Sequence, residues 1–144
     1  MFEITLKMIS SVPQENDIDD EILDVLSSIG YIPEIKNSDE KDDIKKGVPF
    51  KLFRECFMNY PERYWTPDEL IAYLQTTRPT LYRHLNKLKS LDLLEEKSDG
   101  RTKYYRLRNG SFLSAWNFVE ANVKIALSNY RKRIEYIESR KGGI

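Results

Sequence analysis

The sequence contains one cysteine, Cys56, and one histidine, His84. A lone cysteine excludes an internal disulfide and a CxxC zinc site, and the lone histidine leaves no cluster of transition-metal ligands. There is no glycine-rich phosphate-binding loop and no spacing typical of a hydrolytic triad. We therefore expect no enzymatic activity, no metal and no cofactor. Cys56 lies on an apolar helical segment, which favours a buried structural thiol over a redox switch.

Long apolar runs are also missing. No run approaches the roughly 20 residues that span a bilayer. The first ten residues alternate in polarity, unlike the basic and then apolar pattern of a signal peptide. These absences predict a cytoplasmic protein without a membrane partner.

The formal net charge of zero hides an asymmetry along the chain. Residues 1–43 carry a net charge of −9 and residues 44–144 carry +9. The basic part is therefore a candidate for contact with a polyanion. Two ordinary solvated faces would give the same imbalance, so charge alone does not decide between these interpretations.

The acidic part, residues 1–43, is predicted to form a strand-helix-strand appendage. Alternation over residues 2–10 predicts a strand, residues 17–29 predict an amphipathic helix, and residues 31–36 predict a short edge strand. The charged residues 37–47 are typical of a linker. The inward side chains of the first strand would be Phe2, Ile4, Leu6 and Met8. Three roles are open for this appendage: part of a dimer interface, a small effector-binding unit, or an electrostatic mask.

Residues 48–108 contain the clearest succession of signals. Aromatic side chains recur at helical spacing over residues 49–58. A T-x-x-E capping box followed by proline begins a second helix at Thr66. After a short turn, a third helix is predicted over residues 79–91. Its core face consists of Leu81, Leu85, Leu88 and Leu91.

Two further elements follow. The Asp99-Gly100 pair predicts a hairpin over residues 93–108, because both residues tolerate a positive φ. Residues 111–139 predict a long helix whose apolar side chains recur at nearly heptad spacing. That spacing favours a dimerisation helix, with packing against its own domain as the alternative. The predicted dimer-interface residues are Phe112, Trp116, Val119, Val123, Tyr130, Ile134 and Ile137.

The order helix, helix, short turn, helix, hairpin is typical of a winged helix-turn-helix. We therefore predict a mostly α fold with a small β-hairpin wing (α+β). On the helix over residues 79–91, the face opposite the leucines suits a major groove, where Arg83 pairs with guanine and Asn86 with adenine. Cations of the wing over residues 93–108 suit backbone phosphates or the minor groove. The predicted DNA-binding residues are Arg78, Thr80, Tyr82, Arg83, Asn86, Lys87, Lys97, Arg101 and Lys103.

The segment TPDELIAYLQTTRPTLYRHLNKLKSLDLLEEKSDGRTKYYRLR resembles the winged-helix transcriptional regulators of the ArsR-like and MarR-like type, particularly compact archaeal ones. The resemblance covers about 60 of the 144 residues. Asp92 stands where that family commonly has glycine, and aspartate tolerates the left-handed conformation better than most residues. The positions that match most closely are Thr80, Leu81, Arg83, His84, Leu85 and Leu88. Metal-sensing relatives use clustered cysteines or histidines, so the resemblance does not extend to metal sensing.

The leading functional prediction is a sequence-specific regulator of transcription that binds double-stranded DNA as a homodimer. The resemblance implies pairing through terminal helices, which would place two recognition helices about one helical turn apart on a palindromic site. The alternative is a winged helix that makes protein contacts in a transcription or replication complex. The acidic residues 1–43 and the zero net charge motivate this alternative. The sequence assigns no small-molecule effector.

Overall fold

The computed structural model describes residues 1–14 and 17–141. Residues 15 and 16, which belong to the predicted appendage, lie outside the described residues, as do residues 142–144. Within the described part the fold is mostly helical with a two-stranded antiparallel hairpin, an α+β architecture as predicted. The elements are α1 (Ile18–Ser28), α2 (Asp39–Lys46), α3 (Val48–Lys51) continued by a π-helical segment (Leu52–Met58), α4 (Pro67–Leu74), α5 (Arg78–Ser90), β1 (Leu94–Asp99), β2 (Thr102–Leu107) and α6 (Phe112–Lys141).

Helix α1 confirms the helix predicted over residues 17–29. The carboxylate of Asp17 caps it by accepting a hydrogen bond from the Asp19 N–H (2.9 Å). Acidic residues fill its first turn, where they face the positive end of the helix dipole. The chain leaves the helix through Gly30, whose φ of +92° favours glycine.

The strand predicted over residues 2–10 is wrong. This segment is extended, but its backbone N–H groups bond to the ends of helices and not to a neighbouring strand. The Glu3 N–H donates to the Ser90 carbonyl at the end of α5 (2.8 Å), and the Lys7 N–H donates to the Ser28 carbonyl at the end of α1 (3.1 Å). Phe2 and Ile4 pack against the core, whereas Leu6 and Met8 are exposed. The alternating polarity thus correctly indicated an extended backbone, but it carries no information on whether a second strand lies beside it.

The predictions for residues 31–47 are also wrong. Residues 31–36 form an irregular connection, anchored where the buried Tyr31 hydroxyl donates to the Pro49 carbonyl (2.6 Å). The predicted linker over residues 37–47 contains helix α2. Acidic residues in its first turn and lysines in its last turn both suit the helix dipole, and Ile44 packs against the core.

A single cluster of buried hydrophobic side chains joins the acidic and basic parts of the chain. Leu23 of α1, Phe53 of the π-helical segment and Leu85 of α5 are all fully buried members of it. The Phe53 and Phe112 rings meet edge to face with centroids 4.9 Å apart, which fixes the start of α6 on the same core. The helix predicted over residues 49–58 is confirmed, although it is π-helical from Leu52.

Helix α4 begins with the predicted capping box. The Glu69 N–H donates to the Thr66 hydroxyl (3.2 Å), and the Thr66 N–H donates to the Glu69 carboxylate (2.9 Å). Helix α5 begins at Arg78, one residue earlier than predicted, because the hydroxyl of Thr77 accepts from the Thr80 N–H (3.3 Å). The two helices are therefore separated by only three residues.

The hairpin is confirmed, but its turn differs in detail from the prediction. The pairing of Asp99 with Thr102 makes Gly100 and Arg101 the central residues. Of the Asp99-Gly100 pair, only Gly100 has a positive φ (+63°), as expected for a turn with glycine in its first central position. The backbones of Trp65 and Tyr105 exchange two hydrogen bonds of 2.8 Å, which attach β2 to the segment before α4.

Asp92 connects α5, the hairpin and α6. It adopts the left-handed conformation expected at this position (φ +61°). Its carboxylate accepts a hydrogen bond from the Asn122 amide (2.8 Å), and its carbonyl accepts one from Arg108 (3.2 Å). The base of the hairpin is thereby held against α6.

The long C-terminal helix is confirmed as α6, with 30 residues. Its first half packs on the core: Val119 is fully buried, and Phe112, Trp116 and Val123 are partly buried. Its second half is exposed, and the large apolar side chains there are Ile125, Leu127, Tyr130, Ile134, Tyr136 and Ile137. Among the described residues, none of the helices has both the length and the apolar character needed to cross a membrane.

Because α1 belongs to the same core as α5, shortening a buried side chain of α1 should destabilise the whole chain. We predict that Leu23→Ala lowers the free energy of unfolding by about 2–5 kcal/mol, because it opens a cavity in the core. Urea unfolding followed by circular dichroism and by tryptophan fluorescence measures this. Ile18→Ala in the same helix, at a side chain 63% exposed, should change stability by less than about 0.5 kcal/mol. Two separate transitions in the wild type would contradict a shared core.

Candidate nucleic-acid interface

Helix α5 has two chemically different faces. Leu81, Leu85 and Leu88 are fully buried against the core, and this places Arg83 and Asn86 on the opposite, exposed side. Lys87 is exposed beside them. The helix therefore holds these polar side chains on a rigid element and presents them to solvent.

Three cations near this face have no ion-pair partner in the part of the chain that the structure describes. Arg83 and Lys87 on α5 and Arg101 in the hairpin turn form no ion pair with any residue of the described ranges. An anion that binds them need not displace a carboxylate. They are therefore the side chains of this region best suited to phosphate or to the acceptor groups of a base.

A polar cleft of about 360 Å³ lies between the start of α4, one side of α5 and the hairpin. The structure brings four predicted residues to this cleft, namely Arg78, Tyr82, Arg101 and Lys103. Lys89, which is not among the predicted DNA-binding residues, also lines the cleft. Residues from three separate elements of the sequence thus meet around one concave surface, to which α5 and the hairpin contribute the basic side chains.

Arg78 is not free in this cleft. Its guanidinium pairs with the carboxylate of Asp68 on α4 and lies 6.0 Å from the centre of the Tyr82 ring. Thr80, one turn into α5, accepts a hydrogen bond from the Thr77 hydroxyl (3.0 Å) and is half-buried. Arg78 therefore lines the cleft while paired to α4, whereas Thr80 helps to define the start of α5 and does not line the cleft.

The two faces of the hairpin differ. Glu96, Lys103 and Tyr105 share the face that meets α5, where the Glu96 carboxylate lies 3.4 Å from the Lys89 ammonium and 3.9 Å from the Lys103 ammonium. Burial opposes the charged form of Glu96, but the hydrogen bond from Tyr105 and the charges of Lys89 and Lys103 outweigh it and lower the pKa of Glu96. The carboxylate is therefore ionised, and it bridges Lys89 of α5 and Lys103 of the hairpin.

Lys97 lies on the other face of the hairpin. It pairs across the strands with Tyr104, and its ammonium lies 4.0 Å from the centre of the Tyr64 ring and 5.4 Å from that of Tyr104. The structure therefore does not bring Lys97 together with Lys103. The hairpin register would have revealed this separation, because residues 97 and 103 point to opposite sides once residues 99 and 102 are paired.

His84 is half-buried beside the exposed face of α5. Burial, followed by the positive charges of Arg83 and Lys87, lowers the pKa of His84 below its usual value. Among the described residues, no three histidine, cysteine, aspartate or glutamate side chains group as a metal site would require. His84 accordingly contributes a neutral imidazole to this surface at neutral pH.

Comparison with known proteins adds no functional assignment: no protein-family model and no curated protein matches this chain.

The lowered pKa of His84 predicts a dependence of stability on pH. The unfolded chain takes up a proton near the ordinary imidazole pKa of 6.5, whereas the folded chain does so only at lower pH. The free energy of unfolding should therefore be unaffected by His84 above this pH and fall as the pH drops below about 6.5. Urea unfolding at pH 7.5 and pH 5.5 tests this against His84→Gln, the chain having no other histidine. Equal pH dependence in both proteins would contradict it.

Proposed function

We propose that residues 48–108 form a winged helix-turn-helix and that the protein is a cytoplasmic, sequence-specific DNA-binding regulator of transcription. In this proposal α4 and α5 are the helix pair, α5 is the recognition helix and the β1–β2 hairpin is the wing. The protein acts as a homodimer on double-stranded DNA. One observation carries the proposal: α5 buries its leucines completely while exposing Arg83, Asn86 and Lys87.

The side chains on the exposed face of α5 fit a major groove. A major groove of about 12 Å admits one α-helix. Arg83 matches the two acceptors of guanine, and Asn86 matches the donor and acceptor of adenine. Within the described part of the chain Arg83 forms no ion pair and the Asn86 amide forms no side-chain hydrogen bond, so both side chains can reorient toward base edges.

The wing supplies charge for the DNA backbone. Arg101 in its turn is exposed and without an ion pair among the described residues, and Lys103 follows on the face that meets α5. Contacts of this kind give affinity that falls with salt and carry little sequence information. In this arrangement α5 specifies the site while the wing strengthens binding.

A selection from random duplexes followed by anisotropy titrations tests this proposal. On the enriched duplex, Arg83→Ala and Asn86→Ala should each weaken binding about tenfold or more, because each removes a bidentate base contact. On a scrambled duplex the uncharged change Asn86→Ala should have little effect. Arg101→Ala should weaken binding to both duplexes and lower the slope of log K against log salt by about 1.

Lys46→Ala is the matched control for these variants. It removes a positive charge at an exposed position of α2, outside α5 and the wing. It should bind like the wild type. Salt-independent behaviour, or equal affinity for the enriched and scrambled duplexes in every protein, would overturn the proposal.

The pair between Asp68 and Arg78 yields a further prediction. Asp68→Asn keeps the size of the side chain but releases the guanidinium for phosphate. We expect DNA affinity to rise about two- to fivefold, the range of an exposed ion pair. Asp43→Asn, at an exposed position of α2, should leave affinity unchanged. Weaker binding by Asp68→Asn would show that the carboxylate is needed to orient Arg78.

The second candidate function is a winged helix that contacts proteins in a transcription or replication complex. The carboxylates at the cleft and on the hairpin favour it, since Asp68, Glu95 and Glu96 pair with cations that DNA would otherwise attract. A pull-down that retains a polymerase or replication subunit, with no measurable duplex affinity, would support this candidate over the first.

A further inference from the structure

Helix α6 carries an apolar stripe that the described part of the chain does not cover. Leu127, Tyr130, Ile134 and Ile137 are all more than half exposed, although each lies on the side of α6 that continues from Trp116 and Val123. A helical segment extending this far beyond its own core is marginal in water without a partner. The stripe therefore requires a surface of complementary shape and polarity.

The chain offers such a surface at the other end of the same helix. An apolar groove of about 580 Å³ runs between the start of α6, helix α1 and the extended N-terminal segment. Its walls include Leu6 and Ile9 from the N-terminal segment, Ile29 after α1, and Leu113 and Trp116 on α6. Leu113, Leu6 and Ile9 are substantially exposed at its mouth. We call this surface the α6 groove.

The stripe and the α6 groove lie on one side of α6. Trp116 and Ile134 are 18 residues apart, which is five turns of about 3.6 residues. A second helix that packs along this side therefore contacts the groove and the stripe together. If that helix is the α6 of another copy running antiparallel, each stripe meets the other copy's groove, as a two-fold interface requires.

Charge selects one antiparallel register. Glu120 and Arg131 are exposed, form no ion pair with any described residue, and lie about three turns apart on the same flank of α6. Antiparallel helices bring equivalent flanks together, so each Glu120 can stand opposite the other copy's Arg131. This register brings Ile134 and Ile137 to the height of residues 114–117 of the other copy, where the groove residues Leu113 and Trp116 lie. Charge and apolar shape thus favour the same alignment.

We propose that two copies pair through antiparallel α6 helices, with Ile134 and Ile137 of each copy seated in the α6 groove of the other. This inference rests on the homodimer of the proposed function and names its contact surface and register. The N-terminal segment then forms one wall of the interface. The Glu3 N–H of that segment donates to the Ser90 carbonyl at the end of α5 (2.8 Å), which connects the interface to the recognition helix.

Cysteine crosslinking in the full chain tests the register. The native Cys56 does not interfere, because it is fully buried and burial raises its pKa to about 12. Mixing Glu120→Cys protein with Arg131→Cys protein under mild oxidation should give a disulfide-linked dimer, and neither protein should crosslink efficiently alone. Efficient crosslinking of Ile134→Cys by itself would show a parallel pair and overturn the proposal.

Charge reversal provides an independent test by sedimentation equilibrium. Arg131→Glu should weaken the dimer about five- to tenfold through two lost pairs and new repulsion, and adding Glu120→Arg should restore it. Lys132→Glu, the same reversal on another side of α6, should have no such effect. A monomeric wild type, or one whose groove instead takes up a small apolar molecule, would overturn the proposal. Arg83-dependent binding to a half-site duplex would still support the DNA-binding function, so the two failures are distinguishable.

Discussion

The burial of Leu81, Leu85 and Leu88 fixes the orientation of helix α5 on the hydrophobic core. These side chains are fully removed from solvent, and apolar burial of this kind is the main favourable contribution to folding. Because the helical period is fixed, burying them determines which residues of α5 face outward. The same cluster includes α1 and the start of α6. The core therefore orients the polar face of α5 and anchors both ends of the chain.

Electrostatics divides the basic side chains into two groups. Arg78, Lys89 and Lys103 are held by carboxylates of α4 and β1, which fix their positions at some cost in attraction for DNA. Arg83, Lys87 and Arg101 form no ion pair within the described ranges. In the proposed function the free cations provide most of the affinity, and the paired ones shape the cleft between helix and wing.

Local signals in the sequence predicted much of the fold. The Thr66 capping box, the leucine spacing of α5 and the hairpin at Gly100 depend on contacts between close neighbours, and all are present. The prediction of an N-terminal strand was wrong because a strand needs a partner that is distant in the sequence. The alternation of polar and apolar residues does not show whether such a partner exists. Helix α2 was not predicted because residues 37–47 are mostly charged, which is typical of a linker. Their order, with acidic residues first and lysines last, is nevertheless the order that a helix dipole favours. Of the candidate site, the outward face of α5 was predictable, whereas the Asp68 and Glu96 pairs depend on tertiary contacts.

In the proposed function, the outward face of α5 and the tip of the hairpin form a DNA-reading surface. Amide NMR shifts of the wild-type chain during titration with the enriched duplex test it most directly. We predict the largest changes over residues 78–87 and 100–103, decreasing with added salt, and little change over residues 18–46. Changes confined to the α6 groove or the N-terminal segment, or no changes at all, would show that this surface does not bind DNA.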